Sequence, residues 1–155
     1  MHDVIFLGNM IEPKGGIYDL FSTLLSVAAI VVLVLGVLIA IIHSAAKNTT
    51  ISLTNENLVI KSSFWSKKIP LENILIDEIK PINLSENSDY QLSFRTSGVN
   101  LANVKMGWMR LKNKSKALVF ITDKKNVALI PTKDFQILFS MNNIDEFISK
   151  IKAAR

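Results

Sequence analysis

The 155-residue sequence has no cysteine and only two histidines, His2 and His43. The first absence excludes a disulfide framework, a thiolate zinc site and a lipid-modified cysteine anchor, although it does not fix the compartment. With one histidine near the amino terminus and the other closing a long apolar run, a histidine-dependent triad or multi-histidine metal site in the rest of the chain is also excluded. Glycine is scarce. The six glycines are dispersed, and none precedes a Lys-Ser or Lys-Thr pair at the spacing of a phosphate-cradling loop. Asp77 and Glu78 are adjacent carboxylates, but neighbours on a strand point to opposite faces and do not converge as an acid and base must. The chain therefore reads as a non-enzyme, with no catalytic, metal or cofactor-binding residue and no cofactor.

What is present is dominated by Leu20 to Ile42, 23 consecutive residues without a charge. As a helix the run spans about 35 Å, enough for a hydrocarbon core of about 30 Å with some tilt. A transmembrane helix with its flanks is predicted over 17–47, after a short segment 1–16 whose Pro13, Gly15 and Gly16 mark a turn. Tyr18 and Phe21 suit one interface, and His43 with Lys47 the other. Ser22, Thr23 and Ser26 are expected to return their hydroxyls to backbone carbonyls one turn earlier. The apolar core is too long for a cleaved signal of roughly 7–15 apolar residues, and Asp3 and Glu12 spoil a positive leader. Lys14 alone precedes the span, whereas Lys47, Lys61, Lys67 and Lys68 follow it, so the carboxy-terminal region is expected in the cytoplasm. Gly36, with only Ala40 at small-residue spacing, offers little for a helix dimer.

Residues 48–155 change character, to short β-like runs between polar breaks. Ile51, Leu53, Leu58 and Ile60 alternate in a hairpin turning at Asn55 to Asn57. The segment around Asp77 to Lys80 is ambiguous between a strand and a helical turn. Tyr90 to Phe94 reads as a strand, with Ser97 and Gly98 before a second strand from Asn103 to Asn113. Gly107, at the centre of that strand, suggests a bulge or a close backbone approach. "ALVFIT" has the continuous apolarity of a central strand, Asp123 to Asn126 reads as a hairpin turn, and "VALIP" and "FQILFS" follow as strands. Ile144, Phe147, Ile148 and Ile151 form one apolar stripe of a final helix, with Asn143 and Glu146 at capping-box spacing and Lys150, Lys152 and Arg155 in its last turns.

The net charge of +5 is unevenly placed: residues 48–155 carry +6 and residues 1–47 carry −1. Residues 105–125 alone hold Lys105, Arg110, Lys112, Lys114, Lys116, Lys124 and Lys125 against Asp123. Beside a bilayer each well-placed cation would add about 1 kcal/mol of attraction to anionic headgroups. The same residues also fit an ordinary solvated surface. Trp108 among these cations superficially resembles a nucleic-acid surface, which a membrane anchor disfavours. It is expected in the core or over a barrel mouth, with Arg110 covering an edge or pairing an acid such as Asp77 or Glu78.

The order of elements, together with Gly107-Trp108-Met109-Arg110-Leu111, the segment Thr122 to Lys133 and the ending Ser140 to Ile148, resembles the bacterial pleckstrin-homology-like (PH) domain family over residues 50–152. One departure is "MNNIDEF" at the start of the last helix, where that family more often carries proline and acidic residues; it affects the helix boundary rather than the fold. The resemblance implies a mainly β fold, a bent antiparallel barrel or sandwich capped by a carboxy-terminal α-helix, used as a binding scaffold. No phosphoinositide motif is reproduced, so no lipid site is carried over. The resulting expectation is a single-pass membrane protein presenting a non-catalytic interaction or regulatory module. Its contacts would be the bilayer through Leu20 to Ile42 and a protein partner or second copy, with no nucleic acid. The alternative is an electrostatic sensor of anionic lipid headgroups through the basic 105–125 segment.

Overall fold

The computed structural model describes residues 16–153. The turn read at Pro13 and Gly15, the charges of Asp3, Glu12 and Lys14, and Arg155 lie outside the described residues. The chain divides into two compact units, at Ile39 and Ala40.

The first unit carries most of α1, a single helix of 31 residues, Ile17–Lys47. Its leucines, valines and isoleucines are exposed along the length, with Leu25 73% and Leu33 68% accessible. An exposed apolar surface of this extent marks a membrane or protein-interaction face. Among the described residues this is one helix long and apolar enough to cross a membrane. The hydroxyls behave as read: Thr23 Oγ1 donates to the Asp19 carbonyl at 2.8 Å and Ser26 Oγ to that of Ser22 at 2.8 Å.

The second unit begins with the last turns of α1. Ala45 is buried and Ala46 packs against the domain's apolar core, while Thr49 Oγ1 donates to the Ala45 carbonyl at 2.9 Å. The helix end therefore belongs to the folded unit, which shifts the contact boundary upstream of the composition change at residue 48.

Nine strands follow: β1 Thr50–Leu53, β2 Asn57–Lys61, β3 Lys67–Pro70, β4 Lys80–Ile82, β5 Leu92–Asn100, β6 Lys105–Leu111, β7 Lys116–Ile121, β8 Val127–Pro131 and β9 Gln136–Ser140. The final helix, α2, is Ile144–Ala153. They form a three-stranded sheet, β1-β2-β3, and a six-stranded sheet ordered β4-β8-β9-β7-β6-β5. The sheets remain open rather than closing into a barrel. The predicted hairpin pairs Ile51 with Ile60 and Leu53 with Leu58, burying Leu58 and Ile60 completely.

Two apolar clusters occupy the two faces of the large sheet. One gathers Leu58, Ile60, Ile69, Met106, Leu118, Phe120, Ile130 and Ile137 with Ile144 and Ile151 of α2. The other gathers Met109, Leu111, Val119, Ile121, Leu129 and Leu138 beneath Ile82, Leu84, Tyr90 and Leu92. Burial on both faces explains why "ALVFI" and "VALIP" are continuously apolar instead of alternating. The helix stripe lies as spaced: Ile144 and Ile151 are buried, with Phe147 and Ile148 half-buried against the first cluster. Asn143 precedes the helix and donates from Nδ2 to Glu146 Oε2 at 3.3 Å. Lys150, one turn later, bonds Glu146 Oε1 at 2.6 Å, and this contact leads the causes that lower the Glu146 pKa.

Two local expectations are corrected. Asp123 to Asn126 is not a hairpin turn, because β9 lies between β7 and β8 and pairs in parallel with β7, Ala117 opposite Gln136 and Phe120 opposite Phe139. The tight hairpin is β8–β9 instead, pinned by buried Thr132, whose Oγ1 donates to the Phe135 carbonyl at 2.7 Å and accepts from its amide at 3.1 Å. Second, Ser97 and Gly98 do not end a strand; β5 runs through them to Asn100, and Tyr90 sits in a preceding 3-10 turn. Of the two readings of the segment around Asp77, the helical turn is the one found: Asp77 and Glu78 lie in a 3-10 turn, Ile76–Glu78, so the opposite faces of a strand are not what keeps these carboxylates apart.

Candidate functional site

β6 and β7 carry the basic segment, and their register decides which charges meet. Lys105 faces Ile121, whereas Arg110 faces Lys116. Five residues along a strand separate them by about 16 Å. The seven cations therefore form two groups rather than one continuous patch.

At one end are Arg110, Lys112, Lys114 and Lys116. Arg110 is exposed and donates from Nη1 to the Lys114 carbonyl at 2.8 Å, closing a turn in which Lys114 adopts φ 67°. Lys116 Nζ sits 4.2 Å from the centroid of the Trp108 ring, a cation–π contact. Trp108 is half-buried against the first core cluster and meets Phe135 edge-on at 5.1 Å. Leu111 is fully buried. Of the motif Gly107, Trp108, Arg110 and Leu111, three members are thus structural, and Arg110 braces its own turn.

Gly107 is the close backbone approach, not the bulge; the bulges lie on the facing strand, between Leu92 and Phe94 and between Arg95 and Ser97. Gly107 has φ +105° and pairs with Gly98. A β-carbon on Gly107 would lie 2.4 Å from the Ser97 carbonyl oxygen and 3.0 Å from the Trp65 ring.

At the other end, Lys105, Lys124 and Lys125 gather around two adjoining clefts. One, about 330 Å³, is lined by Leu84, Ser85, Gln91, Leu92, Asn100, Lys105 and Lys124. The other, about 300 Å³, shares Ser85, Lys105 and Lys124 and adds Asp123 and Lys125 among its lining residues. Lys105 Nζ donates to Asn100 Oδ1 at 2.6 Å and to the Leu101 carbonyl at 3.2 Å. Burial, and then the Lys124 charge, lower its pKa below that of an ordinary lysine. Ser85, Gln91 and Asn100 carried no signal in the sequence, because only the return of the 83–91 loop and the bent β5 brings them to these lysines.

The loop bearing Lys124 is held by Ser140, whose Oγ accepts from the amides of Thr122 and Asp123 and donates to the Asp123 carbonyl at 2.7 Å. Asp123 Oδ1 accepts from the Lys125 amide at 2.9 Å and Oδ2 from Asn126 Nδ2 at 2.7 Å. The Lys125 amide is the main reason the Asp123 pKa is lowered. A carboxylate with a depressed folded pKa contributes stability above its unfolded pKa, about 3.9, and loses it as pH falls through the folded value. Acidification below about pH 4 is therefore expected to free the Lys125 amide, read as a loss of its protection from exchange relative to the intrinsic rate at each pH. In Asp123→Asn that pH dependence disappears; its persistence would show that another group controls the loop.

A further cleft, about 370 Å³, runs along Leu71 to Glu78 and includes Glu72, Asp77 and Glu78. No group of three or more His, Cys, Asp or Glu among the described residues is arranged to hold a metal.

The family model described as Bacterial PH domain matches residues 49–154. The chain belongs to the bacterial PH domain family. Neither the curated proteins nor the solved structures yield a match to it. Family membership agrees with the two open sheets and the carboxy-terminal helix, and the match begins two residues after α1 ends, at Lys47. This bacterial PH domain therefore follows directly on a helix able to cross a membrane.

Proposed function

We propose that this chain is a membrane-tethered, non-catalytic interaction module, its PH domain held on the cytoplasmic side and engaging a protein partner through the free edge of the large sheet. The observation that carries this reading is β5. It is a nine-residue strand at the sheet edge, with Ser93 to Ser97 exposed and Phe94 57% accessible. An edge strand offers unpaired backbone groups to an extended segment, and an exposed aromatic adds a side-chain anchor. The excess of lysines after the span supports the cytoplasmic side. Because the basic residues fall into two groups, a single flat electrostatic face toward lipid is less well supported.

The test uses the full chain in native membranes. A photo-reactive residue at Phe94 is expected to give a discrete protein adduct, and one at exposed Glu56 none. Equal labelling at both positions, or none at Phe94, would remove the edge as the contact. The absence of cysteine permits single-cysteine mapping without background. Lys114→Cys is expected to react with an impermeant maleimide only after spheroplasts are lysed. Reaction in intact spheroplasts would place the domain outside.

A further inference from the structure

The free edge of the large sheet lies in a stretch of one charge sign. Residues 90–122 hold Arg95, Lys105, Arg110, Lys112, Lys114 and Lys116, and no aspartate or glutamate. The register sets three of these cations on the two faces of the edge. Lys116 of β7, Arg110 of β6 and Phe94 of β5 are successive cross-strand partners, so they form one row that ends at the open side. Arg95 follows Phe94 along the strand and therefore lies on the opposite face, paired with the completely buried Met109. A strand added to this edge would run about 4.8 Å beyond β5, with Phe94 and Arg110 toward one of its faces and Arg95 toward the other.

No carboxylate of the described chain neutralises these groups. Arg95 makes no hydrogen bond or ion pair among the described residues. Arg110 donates to the Lys114 carbonyl, Lys112 to Gln91 Oε1, and Lys116 rests on the Trp108 ring. Asp89, in the 3-10 turn before β5, is the acid at this end, and its carbonyl accepts from the Asn113 amide at 3.0 Å. Among the described residues no ion pair links it to any of these cations.

Charges on an edge strand guard against pairing with a like edge. Two copies of β5 laid side by side would bring arginines of one toward those of the other, and like charges across a strand pair are destabilising. The same groups favour a segment that carries carboxylates, because an arginine and a carboxylate form two parallel charge-assisted hydrogen bonds. Complementary charge of this kind selects one partner and rejects others.

We infer that the partner of the β5 edge is an acidic, extended segment of another protein, added as a strand beside Leu92–Asn100 with its carboxylates on Arg95 and Arg110. The inference rests on the β5-edge reading and adds the chemistry of the partner to it.

The full chain with the photo-reactive residue at Phe94 is cross-linked in native membranes, and the adducted peptide is sequenced by mass spectrometry. A peptide of another protein with net negative charge is expected. Arg95→Glu removes no polar contact within the chain, so the fold is retained, and it should lower the adduct yield about tenfold or more. Arg95→Lys keeps the charge and should retain most of the yield. Lys125→Gln, in the other basic group, should leave it unchanged. An adducted peptide that is neutral or basic, one that comes from a second copy of this chain, or an Arg95→Glu yield equal to the parent's would overturn the acidic partner and leave the β5 edge standing. A lipid adduct alone, or no adduct at Phe94, would remove the edge itself as the protein contact and the acidic partner with it.

Discussion

Gly107→Ala is expected to unfold most of the domain population at temperatures where the parent is intact. The position has φ +105°, and the added β-carbon would sit 2.4 Å from the Ser97 carbonyl oxygen and 2.7 Å from Gly98 Cα. These are backbone atoms of the paired strand, so no rotamer change can relieve the contact. Backbone strain of about 1–3 kcal/mol and overpacking of a further 1–3 kcal/mol combine to roughly 2–6 kcal/mol. A domain has about 5–15 kcal/mol in total, so the loss is a large share. Thermal unfolding of the full chain in detergent, followed by the fluorescence of Trp65 and Trp108, measures it. Gly36→Ala is the control, since a β-carbon there meets nothing within 4 Å. An unchanged melting temperature for Gly107→Ala would mean that β5 and β6 do not approach as described.

The second large effect concerns the membrane helix. Val31→Arg combined with Leu35→Arg places two charges on one face near the middle of α1, where both parent side chains are exposed. Each arginine at a helix centre costs about 2.5–3.5 kcal/mol of insertion, so the pair costs about 5–7 kcal/mol. The parent chain is expected in the membrane pellet after alkaline carbonate extraction, and the double variant in the supernatant or in aggregates. Tyr18→Arg, at the end of the helix where an arginine reaches the interface, should behave as the parent does. Retention of the double variant in the pellet would show that α1 is not the anchor.

Much of the architecture was legible because local patterns carry it. The charge-free run, the alternation of Ile51, Leu53, Leu58 and Ile60, and the helical stripe from Ile144 to Ile151 each report a buried face through their own period. The site was less legible. The run of lysines from 105 to 125 reads as one patch along the chain, but β6 and β7 are extended and antiparallel, so their two ends lie far apart in space. Lys112 is nearest in role to Gln91, 21 positions away, rather than to its neighbours in the segment. The misread turn at Asp123 to Asn126 has the same origin. A short polar break looks alike whether the next strand pairs with the last one or a later strand slots between them, and here Gln136 to Ser140 does so.

The sequence by itself determined that a long helix without charge precedes a β-rich domain closed by an amphipathic helix, because hydrophobic periodicity is a property of each segment alone. It also determined that no cysteine chemistry and no histidine site in the domain are present, because composition alone decides that. Only the tertiary structure decided that Gly107 is held against Gly98, that β9 inserts beside β7, and that Lys105 and Lys124 share a cleft with Asn100 and Gln91. These are pairings between residues far apart in the chain. Their energies come from shape and charge across a gap that no local pattern records.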